Sequence, residues 1–167
     1  MNLTDAARAQ PDDFELQRRQ RAAALDRRIL EHIRRPSADE DAFERLALAL
    51  FEYQFQYDEP YQRFCLQRAR TPATVDSWRR IPAVAASSFA QARLAAFPAE
   101  RARLVFCSSG TTGTGGARSR HELENGELYD ASLLSHFRRC VLPDHERMPM
   151  LLFAPPFEEA PQSSLSY

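Results

Sequence analysis

The sequence predicts an α/β fold in which a helical N-terminal layer precedes a strand, loop, strand, helix, strand unit. Three observations carry that prediction. Apolar residues recur at three- and four-residue steps through much of the first hundred positions. Leu104 to Phe106 is a short apolar run, read as a buried strand, that breaks off into hydroxyls and glycines. Beyond it, Tyr129, Leu133, Phe137 and Val141 restore an i, i+4 stripe. The spacing divides the chain into a mostly helical region, 1–100, and an α/β region, 101–167, packed as one unit.

In chain order, Ala22, Leu25, Ile29 and Ile33 predict a helix from about Asp13 to Arg34, closed by Pro36. Ser37 with Glu40 has the form of a capping box opening a second helix to about Tyr57. That helix places Phe43, Ala47, Leu50, Tyr53 and Tyr57 on one stripe, read as core rather than as a cofactor box. Pro60 suits the first turn of a third, shorter helix that points Tyr61, Phe64 and Cys65 inward and ends before Thr71-Pro72. Trp78 reads as a core anchor. Ile81-Pro82 forces an extended step, because a residue before proline avoids the helical region. Ser87-Ser88 offers an N-cap for a helix from Phe89 to Ala96, stopped by Pro98. Ala117 to His121 is expected to pair as a second strand, Gly126 to lie early in the next helix, Pro143 to end it, and Met150 to Phe153 to form a further buried strand.

Composition narrows the function. The chain has 167 residues and a formal charge of −1, so nothing in it suggests electrostatic capture of nucleic acid. No apolar run approaches the roughly 20 residues of a spanning helix, and no apolar segment precedes a cleavage site at the N-terminus. Cys65, Cys107 and Cys140 are too far apart for a zinc motif and odd in number for a disulfide framework. A reducing cytoplasm fits best. Cys65 and Cys140 read as core, and Cys107 as a buried strand-end residue.

The chemistry concentrates after Phe106. Ser108, Ser109, Thr111, Thr112 and Thr114 supply hydroxyl donors. Gly110, Gly113, Gly115 and Gly116 remove the Cβ atoms that would hold backbone N–H groups away from an anion. A Walker loop is excluded, since it needs a lysine and the chain has none. A polyphosphate grip remains. Each charge-assisted bond from such a loop contributes on the order of 1.5 to 3 kcal/mol.

The order Ser108-Ser-Gly-Thr-Thr-Gly113, a cation five residues on at Arg118, then Ser119-Arg120-His121 and a helix carrying Leu128-Tyr129 and Ser132-Leu133, resembles the LuxE-type acyl-protein synthetases. These belong to the adenylate-forming superfamily with the phenylacetate-CoA ligases. The likeness runs from about Ile81 to Tyr167 and takes in Ser163-Ser164-Leu165, where the family opens a further helix. It implies the beginning of an adenylate-forming nucleotide domain, ATP and Mg2+ as cofactors, a carboxylic and most naturally fatty acid substrate, and an acyl-accepting protein or carrier thiol. An aryl- or acyl-CoA ligase is the alternative within the class; a non-catalytic remnant or interaction module is the alternative outside it. By the same resemblance, Ser108, Ser109, Gly110, Thr111, Thr112 and Gly113 bind phosphate. Arg118 or Arg120 stands where the family has its lysine, and His121 lies near the acyl carboxylate or the loop. The bare residue reading leaves His121 as a polar strand-end side chain. The family's magnesium carboxylate and mobile catalytic lysine fall beyond Tyr167, so the 167-residue chain alone is expected to be inactive.

Overall fold

The computed structural model describes residues 11–36, 39–108 and 118–167. Its order is α1 (Pro11–Arg34), α2 (Glu40–Tyr57), α3 (Glu59–Leu66), a 3-10 turn at Trp78–Arg80, α4 (Ser88–Gln91), a second 3-10 turn at Ala99–Arg101, β1 (Leu104–Cys107), β2 (Arg120–Leu123) and α5 (Glu127–Val141). Helices dominate. The two strands form an antiparallel pair in which Leu104 faces Leu123, Val105 faces Glu122, Phe106 faces His121 and Cys107 faces Arg120.

Asp39 caps α2, its carboxylate accepting from the Asp41 and Ala42 N–H groups at 3.0 and 3.2 Å. The capping box expected from Ser37 and Glu40 is therefore displaced: Glu40 is already the first helical residue, and Ser37 lies outside the described residues. An aspartate next to the first turn satisfies two open donors and adds favourable charge at the positive helix end. Asp58 repeats the device for α3, accepting from Tyr61 N–H at 3.0 Å, with Pro60 in the first turn.

The deepest core lies where α2, α3 and the following segment meet. Phe51 and Cys65 are fully enclosed, Tyr61 and Val75 nearly so, and Ile81 and Val84 pack against them. The Tyr61 hydroxyl donates to the Pro82 carbonyl at 2.8 Å, holding down the extended Ile81-Pro82 step. Helix α2 thus packs on two sides, against α1 and against α3, and its buried residues are Leu46 and Phe51. The single stripe expected from Phe43 to Tyr57 does not contain these two residues, and Phe43 is left 41% exposed. Trp78 is likewise no core anchor. It lies edge-on to Phe43 at 5.4 Å with Arg79 over its ring, and more than a third of it is exposed.

Five further expectations are corrected. Helix α4 is one turn, Ser88–Gln91, rather than eight residues, because Ala92 is already extended and Ser87 makes no side-chain cap. Gly126 is the N-cap of α5 rather than part of its first turn, and a Cβ there would sit 2.8 Å from the Tyr167 hydroxyl. Cys140 is exposed on α5, not core, since α5 packs against α1 only along its other face. Residues 150–153 form no strand. Leu151, Leu152 and Phe153 are 79–94% exposed. The outer edge of β1 is occupied, Cys107 N–H donating to the Gln162 carbonyl at 2.8 Å, and Pro149, Pro155 and Pro156 bracket the segment without donors of their own. At Ser163-Ser164 there is a turn rather than an N-cap, the Ser163 hydroxyl accepting from Leu165 N–H at 3.3 Å.

The helical layer is tied to the hairpin by Arg18, 2% exposed on α1. Its guanidinium grips both oxygens of Glu124, just after β2, at 2.9 Å each, and both oxygens of Glu15 at 2.8 and 2.9 Å. It also donates to the Tyr53 hydroxyl at 3.1 Å. Arg101 bonds Glu124 from the other side and approaches Glu15 at 3.5 Å.

Three expectations for stability follow. The hydrogen bond from Arg18 holds Glu15 below the ordinary carboxylate range. Burial by itself would raise Glu124, but Arg18 and Arg101 outweigh it and hold it low as well. Carboxylates depressed in the folded state contribute stability above their unfolded value of about 4.3, and that stability is lost as pH falls through the folded value. Urea unfolding between pH 7 and pH 3 should show a wild-type midpoint that falls on acidification, and a Glu124→Gln variant already low at pH 7 with a flatter profile. Arg18→Met should cost about 1.5 to 3 kcal/mol, since the half-buried Glu15 and Glu124 are then left to Arg101 alone. At the end of α3, Arg70 N–H bonds the Cys65 carbonyl and Ala69 N–H the Leu66 carbonyl, a Schellman pair with Ala69 at φ 51° where glycine is favoured. Ala69→Gly should raise stability by about 0.5 to 1 kcal/mol in the same assay.

Candidate functional site at the hairpin neck

The pattern of strands and breakers brings Ser108 and Ser119 face to face. Beyond the Cys107 and Arg120 pair, Ser108 N–H donates to the Ser119 carbonyl at 3.0 Å, and Ser119 N–H donates to the Ser108 hydroxyl oxygen at 3.0 Å. The Arg118 Nε–H then donates to the Ser108 carbonyl at 2.6 Å. Three bonds thus pinch the chain into a neck, from which residues 109–117 depart and return. Ser109, Gly110, Thr111, Thr112 and Gly113 lie outside the described residues.

Residues 118, 120 and 122 alternate along the strand and line one cavity of about 180 Å3, walled also by Phe89 and Arg93. The period of two explains the shared face. Glu122 sits between two arginines, 2.7 Å from Arg93 Nε and 3.4 Å from Arg120 Nη2. Arg93 is further committed to the Phe97 carbonyl at 2.8 Å and lies over the Phe97 ring. Three guanidinium groups therefore face one carboxylate. Among the described residues neither Nη group of Arg118 has a partner, and Arg120, more than half exposed, bonds only Glu122 through its side chain. Planar forks with spare N–H groups suit a phosphate or carboxylate oxygen pair.

The expected site residues separate here. Ser108, Arg118 and Arg120 come together at the neck. His121 does not join them: its ring lies against Phe89 at 4.4 Å, opposite Phe106 in the ladder, and it is not part of the arginine cavity. Cys107, half-buried, has its amide on Gln162. Arg93, Glu122 and Phe89 escaped the sequence reading. The alternation Arg118, Arg120, Glu122 could have revealed Glu122, whereas Arg93 reaches the neck across 29 positions with no local signal.

Behind the neck, Phe106 packs on Tyr129 at 5.1 Å and Tyr167 at 5.3 Å, and Tyr167 also meets Phe157 at 5.6 Å. This aromatic cluster seats the hairpin on α5. Among the described residues, no group of three or more histidine, cysteine or acidic side chains could hold a metal ion, and no helix is long and apolar enough to cross a membrane. Comparison with protein-family models, with curated proteins and with solved structures found no match to this chain.

Ser108→Ala removes the acceptor of the Ser119 amide at the neck. Hydrogen exchange at Ser119 should accelerate roughly tenfold, while amides in α2 keep their protection, as expected for about 1 kcal/mol of local destabilisation. Unchanged exchange at Ser119 would mean that the neck is held by the remaining bonds alone.

Proposed function

We propose that the hairpin neck and the hydroxyl-glycine stretch it carries grip the polyphosphate of ATP, in an enzyme that activates a carboxylic acid as an acyl-adenylate. The observation that carries this reading is the pinched neck with surplus arginine charge, Arg118 and Arg120 standing beside both ends of the Ser109–Ala117 stretch. ATP supplies the activated phosphorus. The chain's own residues neutralise and orient: guanidinium N–H groups meet phosphate oxygens in pairs, and backbone amides freed by glycine add uncharged donors. Fixed donors of this kind stabilise charge gathering on a departing pyrophosphate without reorganising during the step.

Arg118 is the better cation than Arg120. Its Nε bond to Ser108 fixes the guanidinium across the base of the loop, leaving the outer edge of its fork to the ligand. Arg120 is partly spent on Glu122. Magnesium accompanies ATP, and no ligand for it is assigned among these residues. The resemblance stated above favours a fatty acid and an acyl-accepting protein or carrier thiol. Acyl transfer to CoA is the alternative within the same chemistry.

The test is calorimetric titration of the chain with pyrophosphate and with ATP. Saturable binding should weaken at least tenfold in Arg118→Ala and in the double variant Thr111→Ala, Thr112→Ala, and less in Arg120→Ala. In an enzyme that also carries the family's lysine and magnesium carboxylate, the threonine double variant should lower acid-dependent ATP–pyrophosphate exchange at least tenfold. Equal binding by wild type and variants would remove the neck from the function.

A further inference from the structure

A second concave site lies on the opposite side of the hairpin's exit, where α1, α2, the segment at Phe97, the end of β2 and the start of α5 converge. It is a cavity of about 250 Å3 with walls of Leu25, Ile29, Leu50, Phe97, Leu123 and Leu128. Asp26 projects into it from α1 and also borders an adjoining hollow of about 360 Å3, so the two spaces meet at this carboxylate. Asp26 makes no hydrogen bond and no ion pair among the described residues.

The charges around Asp26 are unbalanced. Glu124 faces it from the end of β2, but that charge is already met by Arg18 and Arg101. Glu127 faces it from α5 and adds a further negative charge. Tyr53 on α2 offers a hydroxyl that is engaged by Arg18, and Asn125 is neutral. Arg19 borders the adjoining hollow yet forms no ion pair with Asp26 among the described residues. Burial, then Glu127, then Glu124, push the Asp26 carboxyl above its ordinary range. An apolar pocket with one uncompensated anion at its mouth has a definite complement.

We infer that this cavity binds a small organic cation, a primary ammonium on a short apolar chain, with the ammonium on Asp26 and the chain among Leu25, Ile29, Leu50 and Leu128. The ammonium has three donors for the open lone pairs of Asp26. A neutral alcohol of the same length buries the same chain but leaves the carboxylate uncompensated. This site shares no residue with the arginine neck, so it stands or falls independently of the polyphosphate reading.

The experiment titrates the full chain with n-butylammonium and, in parallel, with 1-butanol, following backbone amides and the Asp26 carboxyl carbon by NMR. Saturable shifts confined to residues around Leu25, Ile29, Phe97 and Leu128 are expected, with the amine at least tenfold tighter than the alcohol. The Asp26 carboxyl should titrate at lower pH when the amine is bound. Asp26→Asn should abolish the preference for the amine while keeping the far-ultraviolet dichroism of the wild type. Equal affinity for amine and alcohol, shifts scattered over the surface, or a preference that survives in Asp26→Asn would overturn the assignment. Should that variant fail to fold, the amine and alcohol comparison on the wild type decides alone.

Discussion

A single buried guanidinium joins the two halves of this chain. Arg18 comes from the first helix, yet two of its hydrogen bonds are spent on Glu124, 106 positions away at the root of the hairpin. Desolvating an arginine is expensive, and burial alone works against its charge. Here two carboxylates and a tyrosine hydroxyl reverse that balance and hold the guanidinium protonated more firmly than in water. The bidentate geometry does more than compensate charge. It fixes the distance and rotation between α1 and the end of β2, which hydrophobic contact between a helix and a two-stranded hairpin would leave free to slide.

That constraint propagates to the neck. An isolated two-stranded hairpin is marginal in water. This one is held at three places: Glu124 by the arginines behind it, Phe106 by the aromatic cluster on α5, and Glu122 by Arg93. With those points set, Ser108 and Ser119 meet in register and Arg118 can close across them. The geometry of the neck is thus inherited from packing elsewhere, while its chemistry comes from side chains that take no part in that packing.

Much of the helical layer was legible in the sequence because local rules sufficed. Pro36 beyond α1, Pro60 at the start of α3 and the four-residue spacing of α5 each act within one or two turns. The errors arose where a competing partner decided. Asp39, directly before the first helical residue, is the α2 cap, one step inside the capping box that Ser37 and Glu40 suggested. Leu151 to Phe153 has the composition of a strand, but a strand needs a free edge, and the β1 edge was taken by Gln162. Cys140 sits in an apolar-looking stripe that the chain never covers. At the site, period-two alternation made Arg118 and Arg120 readable as a pair. The placement of His121 against Phe89 depended on where a one-turn helix ends, and no local pattern encodes that.

The net charge of −1 conceals how charge is distributed in space. Around Arg18 the charges nearly cancel, as desolvation demands: Arg18 and Arg101 against Glu15 and Glu124. The imbalances sit on concave, partly exposed surfaces, and they have opposite signs. At the neck Glu122 pairs with Arg93 and Arg120 while Arg118 lines the same cavity, whereas Asp26 and Glu127 form no ion pair among the described residues. Leaving such groups uncompensated costs stability, because like charges repel and half-desolvated ones lose hydration. On the two proposals above, the mismatch at the neck complements an anion and the mismatch at Asp26 complements a cation.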